Sequence, residues 1–426
     1  MLTSICGINW GDEGKGRMVD LLSSDFDIVC RYQGGNNAGH TVINEKGKFI
    51  LNLLPSGILR EDVVNVMGPG MVIDIKHLCG EIARLREGGI VITPDNLKIS
   101  NKAIITMPYN VLQDIMEEDR LTKATGKPYG STRRGIAPIY ADKYMKKAFR
   151  MGELLNTKLL YNRLTDVVDW KNMTIKAYGF EPVKKEDMIA YFEEFGAPLK
   201  DFIVDTSVYL NEEHKKGKKI MFEAQLGALR DIDFGIVPYT SSSSTIAAYA
   251  PIGAGVPNLK LDNSIGIMKA YSSCVGEGPF TCEYFGEQAE KLRALGGEYG
   301  AATGRPRRVG PFDVVASRYG IMCQGADEIA LTKLDVLSDY EEIEICTHYV
   351  LDGKVIDNFP FTDVLDECKP VFESVKGWNC DISKCRKPAD LPKEALDYIH
   401  LLEKLCDCKI KYVSVGAERD AYIIMD

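Results

Sequence analysis

Apolar and polar positions alternate in two rhythms over the first hundred residues. Ile5 to Ile8 is an apolar run of buried-strand length, and a glycine-rich turn follows it. Beyond the turn, Met18, Val19 and Leu22 return at helical spacing. Ile28 to Cys30, Ile50 to Leu54 and Val63 to Met67 are further short runs of the buried-strand kind. Between Asp74 and Arg86, the residues Ile75, Leu78, Cys79, Ile82 and Leu85 form one apolar stripe. Asp74 suits an N-cap there, and Gly88-Gly89 suits a stop. Strands alternating with helices predict a largely parallel sheet covered by helices on both faces.

The stretch from about 107 to 219 is richer in charge and in helical patterning, and predicts a helical insertion within one unit spanning 1–426. Strand-like runs resume at Ile220 to Phe222 and Ile329 to Leu331. His348 to Ile356 centres on Asp352-Gly353, a hairpin signal. Ala395 to Leu405 reads as a helix, followed by strands at Ile410 to Val415 and Tyr422 to Ile424. No internal repeat is visible.

The formal net charge of −9 offers no basic field for a polyphosphate chain, so nucleic acid is not an expected partner. Twelve cysteines are scattered without a C-x-x-C pair. No basic segment followed by an apolar stretch opens the chain, so free thiols in a reducing cytoplasm are expected. Phe234 to Leu259 carries no charge, but its serines, glycines and three prolines exclude a membrane span and suggest a neutral loop or pocket wall.

Chemistry concentrates in a few glycine-rich segments. Gly11-Asp12-Glu13-Gly14-Lys15-Gly16-Arg17 follows the first strand, where backbone N–H groups at a helix start can face a phosphate. The G-x-x-x-x-G-K-[ST] template fails in two places, because Asn9 stands at the first glycine and Gly16 at the hydroxyl. Asp12 and Glu13 inside the loop would repel a phosphate unless a magnesium ion intervenes or one of them is a base. The bland alternative is a tight turn with solvated charges. Gly34-Gly35-Asn36-Asn37-Ala38-Gly39-His40-Thr41 is a second glycine loop past a strand. Of the five histidines, His40 alone sits in such a loop, which makes it the candidate general acid. His77, His214, His348 and His400 read as structural or solvent-facing. Thr332-Lys333-Leu334-Asp335 ends a strand as guanine-reading tetrads do. Thr303-Gly304-Arg305-Pro306-Arg307-Arg308 crowds three arginines on one loop, which suits anionic ligands better than a bare basic bend. The expected fold is α/β and P-loop-NTPase-like, a largely parallel central sheet flanked by helices, with a helical insertion and small antiparallel hairpins.

Taken in this order and spacing, these four motifs resemble the adenylosuccinate synthetase family. The similarity runs over essentially the whole chain, including Gly130-Ser131-Thr132, Asp231-Ile232-Asp233 and Ser414-Val415-Gly416. The resemblance implies a cytoplasmic homodimer that joins L-aspartate to C6 of IMP through 6-phosphoryl-IMP, with GTP as co-substrate and Mg2+ as cofactor. Asp12 would take the proton from purine N1 and ligate the metal with the Gly39 carbonyl, while His40 and Lys15 serve the transferring phosphoryl group. IMP would meet Asp12, Glu13, Gly14, Lys15, Asn37, Ala38, Gly39, His40, Thr132, Lys146, Gln225, Ser241 and Arg305. Aspartate would meet Ala301, Ala302, Thr303, Gly304, Arg305 and Arg307. GTP would meet Gly11, Asp12, Glu13, Gly14, Lys15, Gly16, Arg17, Gly39, His40, Thr41, Arg307, Lys333, Leu334, Asp335, Ser414, Val415 and Gly416.

The chain departs from the family pattern at several places. Arg17 stands for a lysine, and Arg133 adds a charge to the loop 130–135. Lys146 stands for the arginine that the partner subunit lends to the IMP phosphate. In Phe222-Glu223-Ala224-Gln225-Leu226-Gly227, Leu226 occupies the place of a glutamine expected to bond the purine oxygen, with Gln225 one residue away. Ser241 stands for a threonine. Two alternatives therefore accompany the ligase reading: the same mechanism on another purine nucleotide, or an inactive GTP-binding regulatory module.

Overall fold

The computed structural model describes residues 1–44, 47–126, 128–300 and 304–425. Ten strands form the central sheet: β1 (Leu2–Gly7), β2 (Ile28–Arg31), β3 (Val64–Met67), β4 (Leu97–Ser100), β5 (Ile203–Val204), β6 (Ile220–Glu223), β7 (Asn263–Lys269), β8 (Glu328–Thr332), β9 (Ile410–Ser414) and β10 (Tyr422–Ile424). Their spatial order is β5-β4-β3-β2-β6-β1-β7-β8-β9-β10. Every neighbouring pair is parallel except the edge pair β9 and β10. The short runs without polar alternation follow from this placement. β1, β2 and β6 lie mid-sheet with both faces covered, and every residue in them is buried.

Several boundaries move. The first strand begins at Leu2, before the apolar run. The expected strand at Ile50 to Leu54 stops at Leu51, where Gly47–Leu51 pairs antiparallel with His40–Asn44. Residues 52–54 stop pairing because side chains take their backbone groups: Glu81 accepts from all three N–H groups, and Arg31 donates to the carbonyls of Asn52 and Leu54. Asp74 caps the helix Ile75–Glu87 by accepting from the His77 N–H, and Gly88 ends it. The hairpin around Asp352-Gly353 joins Glu342–Leu351 to Lys354–Ile356. The neutral stretch 234–259 is not simply a surface loop. It contains a short helix, Ala250–Ala254, and puts Ala247, Ala250, Ala254 and Val256 into the core beneath β6.

The segment 107–219 contributes the helices Pro108–Thr125, Ile136–Tyr144, Thr157–Ala177, Lys185–Tyr191 and Thr206–Lys215, but it also returns β5 to the sheet edge. Leu160, Leu164, Val167, Val168 and Ile175 line one face of Thr157–Ala177 and share a core with Ile73, Leu78 and Ile105. A buried ion pair binds three of these helices. Lys171 Nζ lies 2.6 Å from Asp142 Oδ1, and both side chains are 2% exposed. Asn110 donates to the other Asp142 oxygen, and Lys171 also donates to Gln113. All twelve cysteines are free thiols, and no described helix is long and apolar enough to cross a membrane.

Removing one partner of that pair strands a buried charge. Lys171→Met alone is expected to lower unfolding free energy by about 3–5 kcal/mol, whereas Lys171→Met with Asp142→Leu should be more stable than either single variant. Chemical denaturation of the four proteins checks this, and simple additivity would refute it.

Candidate active site

The carboxyl ends of β1, β2, β6, β7 and β8 all open on the same side of the sheet, which is where ligands bind in open parallel sheets. The turn after β1 takes positive φ at Gly11 (98°), Asp12 (58°) and Gly14 (97°) before the helix Lys15–Leu22 begins. This path turns its two carboxylates in opposite directions. Glu13 points inward and is 3% exposed. Its Oε1 accepts from the N–H groups of Asn9 and Gly11 at 3.1 and 2.8 Å, and its Oε2 lies 2.5 Å from Lys15 Nζ. Glu13 thus takes two N–H groups of the turn ahead of the helix and pairs with Lys15. Asp12 points outward, 31% exposed, and pairs with Arg307 at 3.0 Å.

His40 opens the first strand of the hairpin 40–51 and folds back onto the loop. A Cβ on Gly16 would come within 2.5 Å of the His40 Cβ, so only glycine admits the ring here. His40 Nδ1 lies 2.6 Å from Glu223 Oε1, and Glu223 also accepts from the Ser56 N–H and hydroxyl. Burial pushes the imidazole below its ordinary value; Glu223 opposes this, while Arg31 and Lys15 add to it. The loop behind His40 is set by Asn52, whose Nδ2 donates to the Ala38 carbonyl at 3.0 Å and whose Oδ1 bonds His77 Nε2 at 3.2 Å. Asn37 turns inward to accept from the Gly35 N–H.

At the end of β8, Thr332 donates to the Glu13 carbonyl at 2.6 Å, joining the segment 332–335 to the turn 11–17. Lys333 adopts φ 64° and donates to the Gly296 carbonyl. Asp335 Oδ1 is buried without a partner, an acceptor left for a ligand N–H, and burial raises the carboxyl above its ordinary value. Leu334 and Val415 face the core, so only their backbones can serve a ligand. Arg17 reaches across to the Ser414 hydroxyl and to the carbonyls of Glu418 and Ala421, tying the phosphate-loop helix to the turn after β9.

The remaining candidates are less gathered. Thr132, Lys146 and Arg305 are exposed. The loop carrying Thr132 is held from below, because Asp114 accepts from the Ser131 hydroxyl and the Gly135 N–H while Glu118 accepts from the Gly130 N–H. Lys146 lines a cavity of about 430 Å³ with Lys102, Lys143, Arg150 and Arg163. Ala301, Ala302 and Thr303 lie outside the described residues; Gly304 closes on the Gly300 carbonyl. Gln225 is fully buried, donating to the Gly35 carbonyl at 2.7 Å, so in this structure it does not face the cleft. Leu226 adopts φ 60° and packs its side chain on Gly11. A chain of hydroxyl and amide groups (Ser241, Ser243, Gln33) runs from the Ser241 turn to the Gln225 carbonyl. Glu223, Asn52 and Asp114 were not singled out from sequence. Their only signal was a polar residue inside or beside an apolar run.

The outward carboxylate of Asp12 is a hard oxygen donor of the kind that fits magnesium held mainly by phosphates. Among the described residues, no group of three or more His, Cys, Asp or Glu side chains is placed to hold a metal ion.

The chain resembles known proteins in sequence and fold. The family model described as adenylosuccinate synthetase matches residues 4–423. An adenylosuccinate synthetase of Synechococcus sp. (strain CC9902) is 43% identical over 425 residues, covering 99% of this chain and 95% of its own length. One from Caldanaerobacter subterraneus subsp. tengcongensis is 42% identical over 427 residues, covering 100% and 99%. The fully ligated adenylosuccinate synthetase of Plasmodium falciparum superposes with a TM-score of 0.94 at 36% identity, covering 100% of this chain and 99% of that one. A cyanophage S-2L succinoaminodeoxyadenylate synthetase, 17% identical with a TM-score of 0.61, shares the fold. This chain belongs to the adenylosuccinate synthetase family.

Proposed function

We propose that this chain joins L-aspartate to C6 of IMP at the expense of GTP, releasing adenylosuccinate, GDP and phosphate. The carrying observation is the opposed orientation of two adjacent carboxylates. Glu13 is consumed internally as the counter-charge of Lys15, which leaves Asp12 as the acceptor at the mouth of the loop. Asp12 accepts the proton from purine N1, and the freed electron pair makes the 6-oxygen nucleophilic. That oxygen bonds the γ-phosphorus of GTP as the β–γ bridge breaks and GDP leaves. The aspartate amine then bonds C6, and phosphate departs with the 6-oxygen. His40, oriented by Glu223, donates toward the transferring group. Asp12 and the Gly39 carbonyl would hold Mg2+, which when bound offsets phosphate charge. Asp335 and Lys333 select guanine, and Arg305 and Arg307 receive anionic groups of aspartate and nucleotide.

Two features support a homodimer. Tyr144 and Met145 are 78% and 55% exposed beside Lys146, and the basic cavity around Lys146 suits an anion bound partly by a second copy. Free thiols throughout suit a cytoplasmic setting.

Steady phosphate release is expected only with IMP, aspartate, GTP and magnesium together, and with IMP favoured over guanine or deoxy nucleotides in a panel at fixed aspartate. Comparable release without aspartate would overturn the ligase reading. Asp335→Ala should raise the KM for GTP on the order of 100-fold and erase the preference for GTP over ATP, because a charge-assisted guanine contact is lost. His40→Asn should reduce kcat about 10²–10⁴-fold with GTP affinity nearly unchanged, as titration calorimetry can show. Burial of the His40 ring also links stability to pH. The unfolded chain binds its proton near pH ~6.5, above the depressed folded value, so this contribution is full above that point and fades as pH falls below it. Thermal melts of His40→Asn should therefore lose less stability on acidification than the parent.

A further inference from the structure

Behind the arginine loop lies a buried carboxylate that the mechanism does not use. Glu298 is completely buried at the base of the loop 300–306. Its backbone carbonyl accepts from the Arg307 N–H at 2.9 Å, and its Oε2 lies 2.8 Å from Arg307 Nη1. Its Oε1 lies 2.7 Å from Lys269 Nζ, at the end of β7, and accepts from the Tyr271 hydroxyl. Lys269 in turn donates to Ser273 at 2.6 Å. Burial pushes the Glu298 carboxyl up, but Lys269, Arg307 and Tyr271 outweigh it and hold it at about 2, so the group is ionised throughout the working range.

Asp12, Arg307, Glu298 and Lys269 thus form a row of alternating charges running from the cleft into the core. Arg307 Nη2 faces Asp12, Nη1 faces Glu298, and Nε is buried without a partner. Resting on the ligase reading above, we propose that Glu298 is a positioning residue. It anchors the Arg307 guanidinium so that an incoming substrate anion, the aspartate carboxylate, can replace Asp12 on its outer edge. The alternation survives that exchange, because one carboxylate succeeds another, and Asp12 is released for the purine proton. Without the Glu298 charge, Lys269 and Arg307 would face each other as like charges. The guanidinium would then move outward and stay on Asp12.

The test compares steady-state kinetics of Glu298→Gln, Glu298→Asp and Arg307→Met, singly and combined. Glu298→Gln should raise the KM for aspartate about 10–100-fold, the range typical of lost supporting contacts. Its KM for IMP should stay within about 2-fold, and Glu298→Asp should recover part of the loss. Added to Arg307→Met, Glu298→Gln should change the aspartate KM by less than about 2-fold, because both act through one group. An unchanged KM in Glu298→Gln, or full additivity with Arg307→Met, overturns the proposal. If Glu298→Gln does not fold, the charge-balanced pair Glu298→Gln with Lys269→Met is read by the same criteria. A parent protein without aspartate-dependent phosphate release would overturn the ligase reading and this one together. An active parent with a normal Glu298→Gln overturns only the positioning role.

Discussion

Lys15 and Glu13 are sealed together under the first turn, and the cleft depends on that contact. In the turn ahead of the helix, the Asn9 and Gly11 N–H groups are taken by the chain's own Glu13 carboxylate. The Glu13–Lys15 pair forms a charge-compensated floor from which Asp12 projects. The left-handed backbone at Gly11, Asp12 and Gly14 is the geometric cost of pointing adjacent carboxylates to opposite sides.

From this floor outward the site is organised by pairing buried charges in alternation. Glu223 holds His40, Glu298 holds Arg307 and Lys269, and Glu81 and Arg31 grip residues 52–54 after the His40 hairpin. Each group would be expensive to bury alone, so each fixes its partner's direction. At Arg307 the guanidinium is already shared between two carboxylates, Asp12 and Glu298. Asp335 Oδ1 stands outside these pairs, one of several buried acceptors without a partner among the described residues.

The strand-helix rhythm, the Asp74 cap, the hairpin at Asp352-Gly353 and the late helix were legible because each depends on near neighbours in the chain. The expected strand at Ile50 to Leu54 ended early because its last residues are claimed by Glu81 and Arg31, which no local pattern reports. The neutral stretch 234–259 looked like a loop because serines and glycines dilute its apolar positions, yet its alanines pack under β6. The same limit applies at Gln225. Its place beside Leu226 suggested a purine contact, whereas the Gly34–Gly35 backbone takes its amide into the interior.

By itself the sequence determined which residues could carry the chemistry, since glycine loops, the lone loop histidine and the Thr332–Asp335 tetrad are contiguous in the chain. Only the tertiary structure decided which way each side chain faces and what balances it. Glu13 and Asp12 are adjacent and alike in type, yet one lies under the loop with Lys15 and the other faces the cleft beside Arg307. Orientation and charge balance arise between strands brought together from distant parts of the chain, and electrostatic pairing acts through space rather than along sequence.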